Sequence, residues 1–279
     1  FDFVCGPRLR TCCHRREVYS RRFWRLVGLS RHGAGLTDVG RRRAVNQDAF
    51  YCDDTLGLYV VADGMGGHAA GEIASAEAVD QVLGMVARGR GILDRLAEGD
   101  TSEPTLRQAI RVLESAVQAA TYMVFGLAQA DPERQGMGTT LTALAICGSY
   151  GITAQVGDSR VYLVRDGRAM SLTEDHTLVA WQLKQGIITE EEARVSPHRN
   201  VITRAVGSRD YVQVDTHFFQ AQAGDSFLLC SDGLHGYLDD DEIPPIVSDG
   251  PQNAVRRFIT LANQRGGRDN ITAVVVTLD

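Results

Sequence analysis

The chain has 279 residues, 44% of them apolar, and a formal net charge of −6. That is enough apolar material for one large core or two small ones, and no apolar run reaches the ~18 residues expected of a transmembrane helix. Charge is uneven: residues 1–31 carry +6, with eight arginines against Asp2 and Glu17, and the other 248 residues carry −12. An acidic body excludes a broad nucleic-acid surface, because phosphate contacts need basic groups.

Residues 1–30 lack hydrophobic periodicity and cluster arginine with Cys12-Cys13-His14. They read as a basic, disordered arm or linker preceding a domain at 31–279. A contact with anionic lipid or nucleic acid through this arm is a second reading. Zinc is disfavoured by the adjacent cysteines, which lack ligand spacing. There is no apolar signal-peptide core, and Cys147 and Cys230 lie in apolar runs as buried thiols of a reducing compartment. The cytoplasm is therefore the expected location.

From residue 31 the pattern alternates strands and helices. A strand is expected over 56–62, then a glycine-rich turn and a helix over 69–87. A second helix starts near Ser102-Glu-Pro104, where proline suits the first turn, and places Leu106, Ile110, Leu113, Val117 and Val124 on one face. Strands follow at 139–147, 151–156 and 160–164, and Asp166-Gly167 signals a hairpin. A short helix at 177–185, a polar stretch at 186–200, and strands at 211–219 and 226–230 come next. Helices near 239–247 and 251–264 and a strand at 271–278 close the chain. The fold expected is a layered α/β domain with mainly antiparallel sheets.

Four aspartate-bearing motifs stand out: Arg43-Ala-Val-Asn-Gln-Asp48, Val61-Ala-Asp-Gly-Met-Gly-Gly-His68, Cys230-Ser-Asp-Gly233 and Gly267-Arg-Asp-Asn270. Each Asp-Gly taken singly is a common turn. At the ends of apolar strands, however, distant carboxylates converge on one rim, where they repel unless a cation neutralises them. Hard oxygen donors suit Mg²⁺ or Mn²⁺. The stretch Gly64-Met-Gly-Gly-His-Ala69 also matches a dinucleotide fingerprint. Asp63 would then face the pyrophosphate, and the second strand of that motif is replaced by helix. No P-loop lysine follows any glycine.

In this order and spacing the chain resembles the metal-dependent protein Ser/Thr phosphatases of the PP2C (PPM) family, in their compact bacterial form. The resemblance is carried by the four motifs together with Gly138-Thr-Thr-Leu141, Val156-Gly-Asp-Ser-Arg-Val-Tyr162, Leu172-Thr-Glu-Asp-His176 and Ile202-Thr-Arg-Ala-Val-Gly207. It spans residues 31–279. It implies a central β-sandwich of two sheets flanked by helix pairs, and two core Mn²⁺ or Mg²⁺ ions with a third weaker site.

Residue by residue, the resemblance assigns Asp63, Asp232 and Asp269 to the metals, with Gly64 giving its carbonyl. Asp158 joins Asp232 at the third site, Arg43 holds the substrate phosphate, and Asp48 stands beside the metal-bound waters. Gln47 replaces a glutamate of eukaryotic members, so direct ligation there is in doubt. Hydrolysis would use a metal-bridged hydroxide, without a phosphoenzyme. Cys230 and Ser231 read as strand-end packing. His68 is the candidate proton donor, with an ordering role at the helix start as its alternative. His176 and His198 fall in the family's flap, where capping and flap structure are the plainer readings. The implied partners are phosphorylated proteins, Ser/Thr kinases and their substrates; no nucleic acid is expected, and the chain reads as a monomer. Rival readings are a phosphoprotein-binding pseudophosphatase, which would be expected to have lost a metal aspartate or Arg43, and a specialised sigma-factor-pathway phosphatase.

Overall fold

A computed structural model describes residues 29–67 and 70–279. The basic arm, but for its last two residues, and His68 lie outside the described residues. The strands are β1 (Arg31–Asp38), β2 (Asp48–Asp53), β3 (Leu58–Met65), β4 (Gly138–Thr139), β5 (Leu141–Cys147) and β6 (Tyr150–Val156). After them come β7 (Arg160–Arg165), β8 (Arg168–Ser171), β9 (Asp215–Gln220), β10 (Ser226–Cys230) and β11 (Ile271–Leu278). The helices are α1 (Ala70–Ala97), α2 (Glu103–Ala130), α3 (Leu178–Lys184), α4 (Glu190–Val195), α5 (Asp232–His235), α6 (Ile243–Val247) and α7 (Pro251–Gln264).

Two antiparallel sheets form, in the orders β1-β11-β10-β7-β8 and β2-β3-β5-β6-β9, with β4 paired to the end of β3. Strand alternation sends successive side chains to opposite faces, and in the central strands both faces are buried. In β3, Leu58, Val60 and Ala62 meet the α1–α2 layer, whereas Tyr59 and Val61 enter the space between the sheets. In β11, Ile271, Ala273 and Val275 pack under α7, and Val274, Val276 and Leu278 face the other sheet. Strands buried on both sides read as near-continuous apolar runs. The result is four layers, helix–sheet–sheet–helix.

The hairpin at Asp166-Gly167 is present, with φ +52° and +72° at the two turn residues, as a two-residue primed turn requires. Several expectations need correction. The first helix runs ten residues past 87, to Ala97. The 186–200 stretch contains α4, whose Thr189 and Glu192 form a capping box. The strand expected at 211–219 begins only at Asp215. β1 and β2 were not anticipated, and β8 was implied only by the hairpin signal.

Candidate metal centre

The site gathers on one rim of the sandwich. β2 and β3 pair Asp48 directly across from Asp63. Asp232 opens α5 just after β10, and Asp269 lies two residues before β11. Asp158 sits in the turn between β6 and β7 and is 5% exposed.

Hydroxyls and amides lock the backbone around these acids. Asp63 accepts at its carbonyl from the Thr140 N–H (2.8 Å) and the Thr139 hydroxyl (2.9 Å). The Thr140 hydroxyl in turn accepts from the Asp63 N–H at 2.9 Å. Asn270 ties loop 39–47 to the rim: its amide donates to the carbonyls of Val39 and Val45, and its oxygen accepts from the Gln47 N–H. A Cβ on Gly64 would fall 2.0 Å from the Gly71 carbonyl oxygen, and one on Gly233 would fall 1.9 Å from that of Asn270. Both glycines are therefore demanded by close backbone approach.

The carboxylates repel one another in a poorly solvated place. Burial, then Coulombic repulsion from Asp48, Asp232, Asp158 and Asp269, raises the Asp63 pKa well above the usual range. Asp48 is pushed up to about 7 by burial, against the lowering hydrogen bonds from Thr272 and Ser231. Asp158 rises to about 7 through burial and the nearby Asp232 and Asp175. Asp232 is also raised, by burial and then by Asp269.

Two acceptors are left over. Asp48 Oδ2 accepts from the Ser231 hydroxyl (2.8 Å) and the Thr272 hydroxyl (2.6 Å), whereas its Oδ1 is buried without a partner. Asp232 Oδ1 is likewise buried and unpartnered. Buried anionic oxygens without donors are costly unless positive charge meets them, so this donor set fits hard divalent cations. Among the described residues, no three acidic, imidazole or thiol side chains close into a complete ligand cage. Hard cations that keep several waters do not require one. Asp63, Asp232, Asp269, the Gly64 carbonyl and Asp158 could supply the protein oxygens.

Arg43 donates to Asp269 Oδ2 at 2.8 Å and is half-exposed, so its guanidinium borders the acids on the solvent side. His176 was expected to be a surface or flap residue, yet it is only 6% exposed. Its Nδ1 accepts from the Gly157 N–H at 3.1 Å, so Nε2 carries the proton and faces Asp215 at 3.1 Å. Burial lowers its pKa. His198 is exposed on the turn after α4 and does not line the cleft beside the acids.

Some contributors escaped the sequence reading. Ser231, taken as packing, is a partner of Asp48, and Thr272 and Asn270 complete that arrangement. His235 is half-buried, with Nε2 2.9 Å from the Asp158 carbonyl oxygen, and desolvation holds its pKa down to about 4. All of these lie within or next to the aspartate motifs, the one signal that could have found them. Cys230 is buried, and burial pushes its thiol up to about 12, which removes it as a nucleophile.

Fold and rim together define a layered phosphatase-type domain built around carboxylates, and comparison with known proteins identifies the family. The profile described as Protein phosphatase 2C matches residues 39–270, and the chain belongs to that family. The serine/threonine phosphatase Stp of Listeria welshimeri is 37% identical over 250 residues, covering 88% of this chain and 95% of its own. The Mycobacterium tuberculosis serine/threonine phosphatase PstP/Ppp superposes with a TM-score of 0.78 at 36% identity, over 89% of this chain and 99% of that one. The catalytic domain of PstP in complex with two manganese ions matches with a TM-score of 0.75 at 34% identity, over 90% and 99%. This protein is a protein-serine/threonine phosphatase.

Proposed function

We propose that the chain hydrolyses phosphoserine and phosphothreonine in proteins, dependent on Mn²⁺ or Mg²⁺ held at the aspartate rim, and that it opposes Ser/Thr kinases. The observation that carries this reading is the pair of buried, unpartnered oxygens on Asp48 and Asp232 among mutually repelling acids. The manganese complex of PstP supports the choice of metal.

Asp63 is assigned to two core ions, Asp232 and Asp269 to one or both, and Asp158 with Asp232 to a third. Bound there, the ions would supply a nucleophile at neutral pH and neutralise phosphoryl charge. Arg43 can leave Asp269 to give the phosphoryl oxygens two parallel hydrogen bonds, which suits its planar fork. Asp48 Oδ1 is the free acceptor that orients the attacking water, its rotamer fixed by Ser231 and Thr272 on the other oxygen. Water adds to phosphorus as the serine or threonine oxygen leaves, and that oxygen takes up a proton. His68 is assigned this proton donation. In this reading the enzyme is cytoplasmic and monomeric, and residues 1–30 stay outside catalysis.

Turnover of p-nitrophenyl phosphate and of a phosphothreonine peptide tests the reading, with Mn²⁺, with EDTA, and in Asp232→Ala. Activity should vanish in EDTA and fall by at least about a hundredfold in the variant, as expected when a metal ligand is lost. Metal-independent turnover, or a fully active variant, overturns it.

A further inference from the structure

A cleft of about 590 Å³ leads away from Asp158, Asp232 and Asp269 and passes beneath α3 and α4. That volume lies in the range of clefts that hold extended ligands. One wall is apolar, formed by Val179, Ala180 and Leu183 of α3, with Tyr237 also lining the cleft. The charged lining comprises Arg160, Arg194, Arg199 and Arg268 together with Asp158, Asp175, Asp232 and Asp269.

Arg160 is neutralised by Asp175, through Nε to Oδ1 at 2.8 Å and Nη2 to Oδ2 at 2.7 Å. Arg194, Arg199 and Arg268 also line the cleft, yet none of them belongs to an ion pair among the described residues. The acids nearest in sequence to Arg194 are Glu190, Glu191 and Glu192, all outside the cleft lining, and Glu192 is engaged by the Thr189 N–H. With Asp175 paired to Arg160, the other acids of the lining are Asp158, Asp232 and Asp269, which cations on the rim would neutralise. Three like charges would then face one cavity without a counter-ion, a repulsion that an anionic ligand relieves.

We propose that this cleft is a peptide subsite selecting substrates with acidic side chains beside the phosphorylated residue, recognised by Arg194, Arg199 and Arg268. The proposal rests on the phosphatase reading, and it deepens that reading by naming a substrate class. Aliphatic stems of the substrate lie along Val179, Ala180 and Leu183, and its carboxylates meet the guanidinium groups.

The test uses the full chain with Mn²⁺ and phosphothreonine peptides identical except for flanking Glu, Gln or Arg. Binding is read by anisotropy of non-hydrolysable phosphonate versions, and kcat and KM are read on the esters. The Glu peptide should bind about tenfold tighter than the Gln peptide at low salt, the sum of two or three exposed ion pairs, and lose that advantage at high salt. Arg194→Gln with Arg199→Gln should bring the ratio to within about twofold, with the change carried by KM. Arg194→Glu with Arg199→Glu should turn the preference towards the Arg peptide, which general damage to the fold would not do. Equal binding of the Glu and Gln peptides by the unaltered chain, or a preference that survives both double variants, overturns the proposal. Absent p-nitrophenyl phosphate turnover with the binding preference intact would refute the hydrolytic reading and leave the subsite standing.

Discussion

Asp48 has one oxygen bonded twice and the other bonded to nothing, and this asymmetry has a measurable cost. Its pKa rises from the ordinary 3.8 to about 7 in the folded chain. Below 3.8 the group is protonated in both states and the fold loses nothing. As pH climbs from 3.8 to about 7 the unfolded chain gives up the proton while the folded chain keeps it, so stability falls, fully so above 7. Asp48→Asn should remove this term, because an amide oxygen still accepts from Ser231 and Thr272 and the amide nitrogen can donate to the neighbouring acids. In EDTA the variant should be the more stable form at pH 8, by on the order of 2–4 kcal/mol. The gap should close by about pH 4, as read by thermal unfolding across pH. A constant gap, or none, would mean the carboxyl is not strained. The acids themselves were legible because each sits in a short motif at a strand end. Ser231 and Thr272 were not, since hydroxyls in or beside strands are ordinary and only the folded arrangement reveals which acid they meet.

The elements divide in the same way. β3, β5, β10 and β11 could be read because both of their faces are apolar, whereas β1 and β2 are half-exposed and carry Gly33, Gly35 and polar residues that hide the alternation. The segment carrying α3 and α4 is held at its two ends by one buried node. Thr177 bridges Ile202, the Thr203 N–H donates to the His176 carbonyl, and the His176 ring joins Gly157 and Asp215, to which Arg204 also donates. Sequence spacing placed His176 at the start of a helix but could not show that β9 would bring Asp215 against it. Replacing His176 by Ala should loosen the segment and speed tryptic cleavage after Arg194 or Arg199 about tenfold, equivalent to ~1.4 kcal/mol of easier local opening. Asn, whose amide oxygen can replace Nδ1 as acceptor for Gly157, should restore much of the protection. Equal cleavage of all three proteins would count against the node.

Across the whole molecule, the two sheets depend on chain ends far apart in sequence. β11 lies between β1 and β10 and contributes to two cores at once. Deleting residues 1–28 should leave turnover and the unfolding midpoint nearly unchanged. Deleting residues 269–279 should abolish cooperative unfolding in calorimetry, because the strand pairing β1 to β10 is lost. The reverse result would show that the stabilising contacts lie in the arm.

Asn270 clamps the loop at 39–47, and Thr272 fastens Asp48, across more than 220 positions of sequence. On the ribosome, residues 43, 48, 63, 158 and 232 must wait for residues 269–272 to emerge before any rim can form. Contacts of this span also fold slowly. A nascent or prematurely terminated chain should therefore lack the complete rim, and activity towards phosphoproteins is expected only after residues 269–272 have emerged.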